Sequence, residues 1–309
     1  MVSLKQVDIT MFPQFYPLLR EINPELSKAE WYRVFTPEWD YSEDFCGYGL
    51  FDGAEMVGFL GFIFSQRTID GQLEKFCNLT SWIVRESHKG HSISLMLALR
   101  KLKGYTITDL SASDRAIEVA KRLGFQVLDD RVTVLPSIPL TFFSRQPKLK
   151  IITEKSLIYQ KLSPQEQKIF ADHNAQPRCH HLLVETADRS CYIIFNLVKN
   201  AKFPFSHIQY LGNAKLFVRH SLAIRQAIAL RGQNPWVIID HRMLRGLKPK
   251  FCSNLPIEVC RLYKSSTLKP EQIDNLYSEL VIIDFNSIPG FAWSEVKRYY
   301  KKHYFKSIS

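Results

Sequence analysis

The sequence predicts a mixed α/β (α+β) chain made of two successive units of one layout. Each unit is expected to be a twisted mixed sheet flanked by helices. Three observations lead there. The chain has 309 residues, too long for one ordinary core and suited to two of about 150 residues each. The same order of elements, hairpin strands and then a strand–helix–strand crossover, reads twice, over 47–124 and 181–244. A stretch punctuated by Pro136, Pro139 and Pro147 lies between the two. The expected division is 1–138 and 151–309.

In the first unit, Gly47 to Phe51 reads as a strand that turns at Asp52-Gly53. Met56 to Ile69 is a long β-rich run interrupted by Gly58 and Gly61, and Asp70-Gly71 turns it back. Leu73 to Val84 is a third strand. A polar loop, Arg85 to Gly90, leads into a helix whose apolar face holds Ile93, Leu95, Met96, Leu97, Leu99 and Leu102. Tyr105 to Leu110 is the next strand, and Asp114 to Leu123 a helix stopped by Gly124. In the second unit, His181 to Glu185, Cys191 to Val198 and His207 to Leu211 read as strands. Gly212-Asn213 breaks the chain, Leu216 to Leu230 has helical spacing, and Trp236 to Asp240 is a strand. Within the first long strand, alternation puts Leu60, Phe62 and Phe64 on one face and Phe59 and Ile63 on the other. Apolar residues on both faces mean a strand covered on both sides, either by two packed layers or with a tunnel for a long apolar chain between the units.

Composition narrows the class. Hydrophobic residues at 46% and charged residues at 23% give the balance of a soluble globular protein. No apolar run reaches the roughly 18 residues that a membrane span needs. The first twelve residues carry Lys5 and Asp8 and lack the apolar stretch of a signal peptide. The cysteines, Cys46, Cys77, Cys179, Cys191, Cys252 and Cys260, are scattered without a CxxC and read as free thiols of a cytoplasmic protein. A net charge of +11 attracts anionic partners. Nucleic acid is not expected among them, because there is no zinc-finger spacing, RNP-like strand or basic heptad. The basic, aromatic run Lys297 to Lys306 reads as a solvated terminal helix or as a contact for an acidic partner.

At Trp82 to Leu99 a strand enters a polar, glycine-containing turn and then a helix. Free backbone N–H groups and the positive helix end would converge there, which suits a pyrophosphate. Lys89 adds charge, and His88 and His91 do so when protonated. Taken alone, the stretch is also compatible with an ordinary strand–helix turn.

This layout resembles the GNAT superfamily of N-acetyltransferases, in which the loop holds the CoA pyrophosphate. The family's Arg or Gln, then Gly three on, then Gly or Ala two further, fall here on Ser87, Gly90 and Ser92. The family's later Asn, Ala, Tyr and Gly-Phe fall on Ser113, Ala116, Ala120 and Gly124-Phe125. The tyrosine that commonly protonates the leaving thiolate is therefore absent. The resemblance implies acyl-CoA as donor and no metal. It implies CoA contacts from Trp82, Ile83, Val84, Arg85, Lys89, Gly90, His91, Ser92 and Ser113, with Asn78, Ser81 and Phe62 toward the acyl group and acceptor. In the second unit Gly212-Asn213-Ala214 offers no comparable cradle, so one CoA site is expected. The chain also looks like fused double-domain members that fatty-acylate ribosomal peptides or sit beside exopolysaccharide genes. The stretches that carry this are 77–82, 179–183, 216–220 and, most distinctive, Asp274-Asn275-Leu276-Tyr277-Ser278-Glu279-Leu280. An acyl-CoA-dependent N-acyltransferase follows from the resemblance, with an acidic precursor peptide as acceptor. Acylation of a sugar amine or hydroxyl, or acyl-CoA binding without catalysis, are the alternatives.

Acyl transfer needs N–H groups to polarise the thioester, expected from Asn78 to Val84, and a base for the acceptor amine. His181, with Cys179 close by, is the leading base. It also reads as a histidine satisfied within a strand. Glu74 is a second base candidate, or an exposed strand charge beside Lys75. A Cys–His nucleophilic pair is a weaker reading, since the resemblance implies direct attack without an acyl-enzyme, and so is a zinc site from His173, Cys179, His180 and His181, since neighbouring residues rarely share one ion.

Overall fold

The structure, a computed structural model, describes residues 1–137, 149–198 and 204–283. The expected linker prolines Pro139 and Pro147 and the basic run Lys297 to Lys306 lie outside the described residues. The first unit runs β1 (Val2–Val7), α1 (Phe12–Ile22), α2 (Lys28–Phe35), β2 (Gly47–Asp52), β3 (Glu55–Ile69) and β4 (Gln72–Val84). It continues through α3 (Ser92–Leu97), β5 (Tyr105–Asp109), α4 (Asp114–Arg122) and β6 (Gln126–Pro136). The second runs β7 (Lys150–Ile152), α5 (Lys155–Lys161), α6 (Pro164–Asn174), β8 (Cys179–Glu185), β9 (Ser190–Val198) and β10 (Phe205–Leu211). It continues through α7 (Ala214–Arg219), α8 (Ser221–Gly232), β11 (Trp236–Asp240), β12 (Ser253–Lys264) and α9 (Glu279–Ile282).

The twelve strands of the described residues form one mixed sheet in the order β1-β2-β3-β4-β5-β12-β6-β11-β10-β9-β8-β7. Among the described residues only β4–β5 and β10–β11 pair in parallel. The two units exchange their last strands. β6 lies against β11, with Val237 opposite Leu135, while β12 inserts between β5 and β6, with Leu262 opposite Asp109. The sheet therefore crosses the expected division at 138/151 without a break, and each unit borrows a central strand from the other.

Local chemistry explains the pieces. Asp70 and Gly71 both take positive φ (49° and 82°), which fits the tight hairpin that sets Ile69 opposite Gln72. Ser27 and Glu30 form a reciprocal capping box at the start of α2. β3 is continuous through Gly61, where the sequence suggested an interruption. A Cβ at Gly61 would come within 2.6 Å of the Phe35 ring, so the glycine admits α2 against the strand. The alternation holds: Leu60, Phe62 and Phe64 pack into the layer under α3 and α4, and Phe59 and Ile63 into the layer under α1 and α2. The helix expected over 216–230 breaks at His220 into α7 and α8, and the helix after the polar loop is shorter than its apolar spacing suggested. All six cysteines are free thiols. Among the described residues no helix is long and apolar enough to cross a membrane.

Candidate active site

Parallel strands β4 and β5 pair only from Lys75↔Tyr105 to Asn78↔Thr108. Beyond Asn78, β4 follows β3 toward Val84 while β5 ends at Asp109, so the sheet splays open. Ser81 is a bulge residue with φ 58°, a left-handed conformation that costs a non-glycine residue and turns the strand's backbone locally. The opening is a cleft of about 800 Å³, its mouth included. Leu60, Leu79, Met96 and Ala112 give it apolar walls, and Thr80, Ser81 and Trp82 form its β4 edge. α1 and α2 close it from above through Ile22 and Trp31.

Two carboxylic acids line the cleft, Asp109 from the end of β5 and Glu279 from the second unit. Glu279 is 2% exposed. It accepts hydrogen bonds from Asn78 Nδ2 and from Ser111 Oγ (2.6 Å), and Asn78 Oδ1 in turn accepts from Thr108 Oγ1 at 3.0 Å. Burial and, after it, the Glu279 charge raise the Asp109 carboxyl to about 7. Burial also raises Glu279, opposed by its hydrogen bonds from Ser111 and Asn78. Burial in one apolar site thus pushes both carboxyls up, and the Glu279 charge adds to the rise at Asp109. Sequence reasoning missed both groups. Asp109 sat unremarked at a strand end, and Glu279 lay in the most distinctive stretch of the chain without a chemical role.

The stretch that delivers Glu279 is tied down along its length. Arg242 Nε donates to Ile273 O at 2.9 Å and Arg242 Nη2 to Asn275 Oδ1 at 2.5 Å. Arg67 pairs with Asp274, Tyr277 Oη donates to Asp172 at 2.8 Å, and Asn196 Nδ2 donates to Leu280 O at 2.7 Å. The cleft of the first unit is thus completed by a residue that the second unit holds in place.

A smaller hollow continues the cleft past Trp82 and Ser113, lined by Ile83, Val84, Lys89, Ser92 and Arg115. Of the residues expected at CoA, Trp82, Ile83, Val84, Lys89, Ser92 and Ser113 come together on these two walls. Arg85 turns away to pair with Glu55, and Gly90 and His91 lie on the adjoining turn without lining the hollow. Arg115 is a cation the sequence reading did not single out. A Cβ at Gly90 would meet no protein atom within 4 Å, so no packing within the chain requires that glycine. Ser81 lines the cleft, whereas Asn78 supports it from behind through Glu279. Phe62 is packed among Phe45, Tyr48 and Phe64 and does not reach the cleft. Ala120, at the place of the family's tyrosine, is fully buried in the core.

The expected bases lie elsewhere. His181 is buried on β8, its Nδ1 2.6 Å from Tyr192 Oη and its ring against Phe170, outside the cleft. Burial, reinforced by the Lys155 charge, lowers it to about 3, so it stays neutral at physiological pH and is a weak base. Burial pushes the Cys179 thiol up to about 12, which removes the thiolate a nucleophilic pair requires. His180 stacks on Phe195 on the opposite face of β8 from His181, as strand alternation dictates, so the four residues of the zinc reading do not converge. No group of three His, Cys, Asp or Glu fit to hold a metal occurs among the described residues. Glu74 sits at the far end of β4, where it accepts from Thr267 Oγ1 at 2.9 Å.

The second unit repeats the parallel pair. β10 and β11 pair from Ser206↔Val237 to Ile208↔Ile239, and a register shift follows. There the splay is filled. Asp240, fully buried, accepts from His207 Nε2 (3.0 Å), Arg242 Nη1 (2.7 Å), Arg261 Nη2 (3.1 Å) and Asn275 Nδ2 (3.0 Å). Burial alone would raise its carboxyl, but Arg261 and then Arg242 hold it well below the usual carboxylate range.

The architecture is that of the GCN5-related N-acetyltransferase fold. A GCN5-related N-acetyltransferase from Anabaena variabilis superposes with a TM-score of 0.55 at 12% identity, over 85% of this chain and 72% of that one. A probable N-acyltransferase of unknown function from Enterococcus faecalis gives 0.54 at 10% identity, over 87% and 74%. A putative acetyltransferase from Pyrococcus horikoshii gives 0.51 at 13% identity, over 92% and 95%. No family model matches the chain, and no curated protein matches it in sequence.

Proposed function

We propose that the chain is an acyl-CoA-dependent N-acyltransferase whose donor lies in the β4/β5 splay, with Asp109 as the base for a primary amine. The observation that carries this is the buried Asp109 and Glu279 carboxyls lining the same apolar cleft as the Ser81 bulge. The pyrophosphate would rest in the hollow at Lys89, Ser92 and Arg115. The thioester carbonyl would be polarised by N–H groups at the β4 bulge. The amine nitrogen attacks the carbonyl carbon, a C–N bond forms and the C–S bond breaks. The amine proton passes to the Asp109 carboxylate. The CoA thiolate leaves and takes up a proton, from Asp109 or from water, regenerating the base. With a thiol pKa of about 8.5, departure needs no dedicated acid, which accommodates Ala120.

An amine acceptor suits this site better than a hydroxyl. An ammonium ion is drawn to two carboxyls, and a base near pH 7 removes its proton. The apolar walls suit a fatty chain, each buried CH₂ of which contributes about 0.8 kcal/mol. A lysine-type side chain of an acidic precursor peptide is the preferred acceptor. Residues 139–309 carry 26 Lys and Arg against 12 Asp and Glu, whereas residues 1–138 carry 15 against 18. An acidic segment would be steered to the second unit.

The test is thiol release on mixing the protein with a panel of short- to long-chain acyl-CoAs and either a lysine peptide or an amino sugar. Release with long-chain donors and the peptide supports the full reading. Release with the sugar alone moves the acceptor to exopolysaccharide-type chemistry. Retention of an acyl-CoA without release leaves an acyl-CoA-binding protein, and neither retention nor release overturns the donor assignment.

A further inference from the structure

The second unit contains a cationic cavity that the acyl-transfer reading does not use. It lies between the β8–β9 turn and the joint of α7 and α8, and measures about 990 Å³ with its mouth included. Arg189, Lys215, Arg219 and His220 line it. Of the lining side chains only Asp188 is acidic, and its carboxylate is 3.3 Å from Arg189 Nε, which neutralises it locally. Lys215 and Arg219 stand one turn apart on the exposed side of α7, with no ion-pair partner among the described residues. Like charges at that spacing repel, so the pair is unfavourable until an anion joins it.

His220 supplies an independent observation. It is 5% exposed, yet its ring makes no hydrogen bond among the described residues, and it lines this cavity. Its ring nitrogens are not among the buried unpaired atoms, so solvent reaches them and they stay open to a ligand in the cavity. Burial, and then the Arg219 charge, hold it below its ordinary value. It also stands at the start of the twelve-residue α8, whose first N–H groups receive no side-chain cap from it.

The first unit shows what a compensated version looks like. There the corresponding β2–β3 turn carries Asp52 and Glu55, which pair with His88 and Arg85. In the second unit the turn's acid, Asp188, pairs with the neighbouring Arg189, and Lys215 and Arg219 have no acidic partner among the described residues.

We propose that this cavity binds a phosphate monoester dianion, held by Lys215, Arg219 and His220, with room beyond the phosphate for the group that carries it. Charge-assisted donors on two cations and a buried imidazole match the several oxygens of such a group. The proposal stands independently of acyl transfer.

The experiment is an NMR titration of the His220 ring in the full chain at constant ionic strength, with inorganic phosphate, a hexose 1-phosphate and a tetraglutamate peptide as separate probes. Saturable shifts are expected with both phosphates, together with a His220 titration moved to higher pH, because a bound anion favours the imidazolium. Tighter binding of the hexose phosphate supports the site and assigns it a sugar-borne phosphate. Equal binding supports it for phosphate alone. In Lys215→Ala/Arg219→Ala binding is expected to weaken about tenfold or more, equivalent to roughly 1.4 kcal/mol. Both side chains are exposed, so the spectrum of the variant should otherwise match that of the parent. Unchanged binding in the variant, a response to the peptide alone, or no response to any probe overturns the proposal.

Discussion

The β4/β5 and β10/β11 splays are one backbone device with opposite contents. Both open where two parallel strands stop pairing, and both put an aspartate, Asp109 or Asp240, at the last position of the second strand. In the first unit the opening stays a cleft, and Asp109 is left with a carboxyl neighbour and a proton affinity raised to about 7. In the second, two arginines and a histidine close on Asp240, and burial no longer decides its ionisation. In this chain the splay whose carboxyls lack a compensating cation is the one that stays open as a cleft. Filled, the same opening becomes a support, here for the stretch that carries Glu279.

Substitutions can break this comparison. Asp240→Ala should destabilise the chain by about 3–5 kcal/mol in denaturant unfolding, because Arg242 and Arg261 lose their counterion in a dry interior. Asp109→Asn should act oppositely on the fold. A carboxyl whose native value lies above its unfolded value contributes most below the unfolded value, and that contribution is lost as pH rises toward 7. The variant should therefore gain thermal stability over the parent at pH 8 and little at pH 4. Its thiol-release rate should fall about 10²- to 10⁴-fold, with loss of the inflection near pH 7. An Asp109→Asn chain less stable than the parent at pH 8 would remove the distinction between the two splays.

Asn275→Ala should lower kcat roughly tenfold by loosening Glu279, a cost of about 1.4 kcal/mol. Its pH profile should move as well, because Glu279 contributes to the Asp109 shift. A change in stability with no change in the profile would mean that Asn275 supports only the second splay. His181→Gln should have the smallest effect, changing kcat by less than about twofold while costing about 1 kcal/mol of stability through its bond to Tyr192. A large drop in kcat with the fold intact would return the base to β8.

Much of the layout was legible because it rests on local signals. The Asp70-Gly71 hairpin, the alternation along β3 and the strand–loop–helix at Trp82 to Leu97 each follow from a few neighbouring residues. β12 left little trace: it carries Pro256, is irregular between Pro256 and Leu262, and owes its place between β5 and β6 to partners far away in the chain. The hollow proposed for CoA draws its residues from Trp82 to Ser92 for the same local reason, whereas Arg115 enters it only through the docking of α4.

The base shows most plainly what sequence alone leaves open. Histidine and aspartate have fixed intrinsic affinities for a proton, and the chain states only where they occur. By itself the sequence determined the hairpins, the two faces of β3, the free thiols and the turn at Gly90. Tertiary structure decided the strand exchange, carried Glu279 into the other unit's cleft, and moved the proton affinities of His181 and Asp109 in opposite directions. The reason is burial: desolvation lowers a histidine and raises a carboxyl, and depth in the fold belongs to contacts between distant segments.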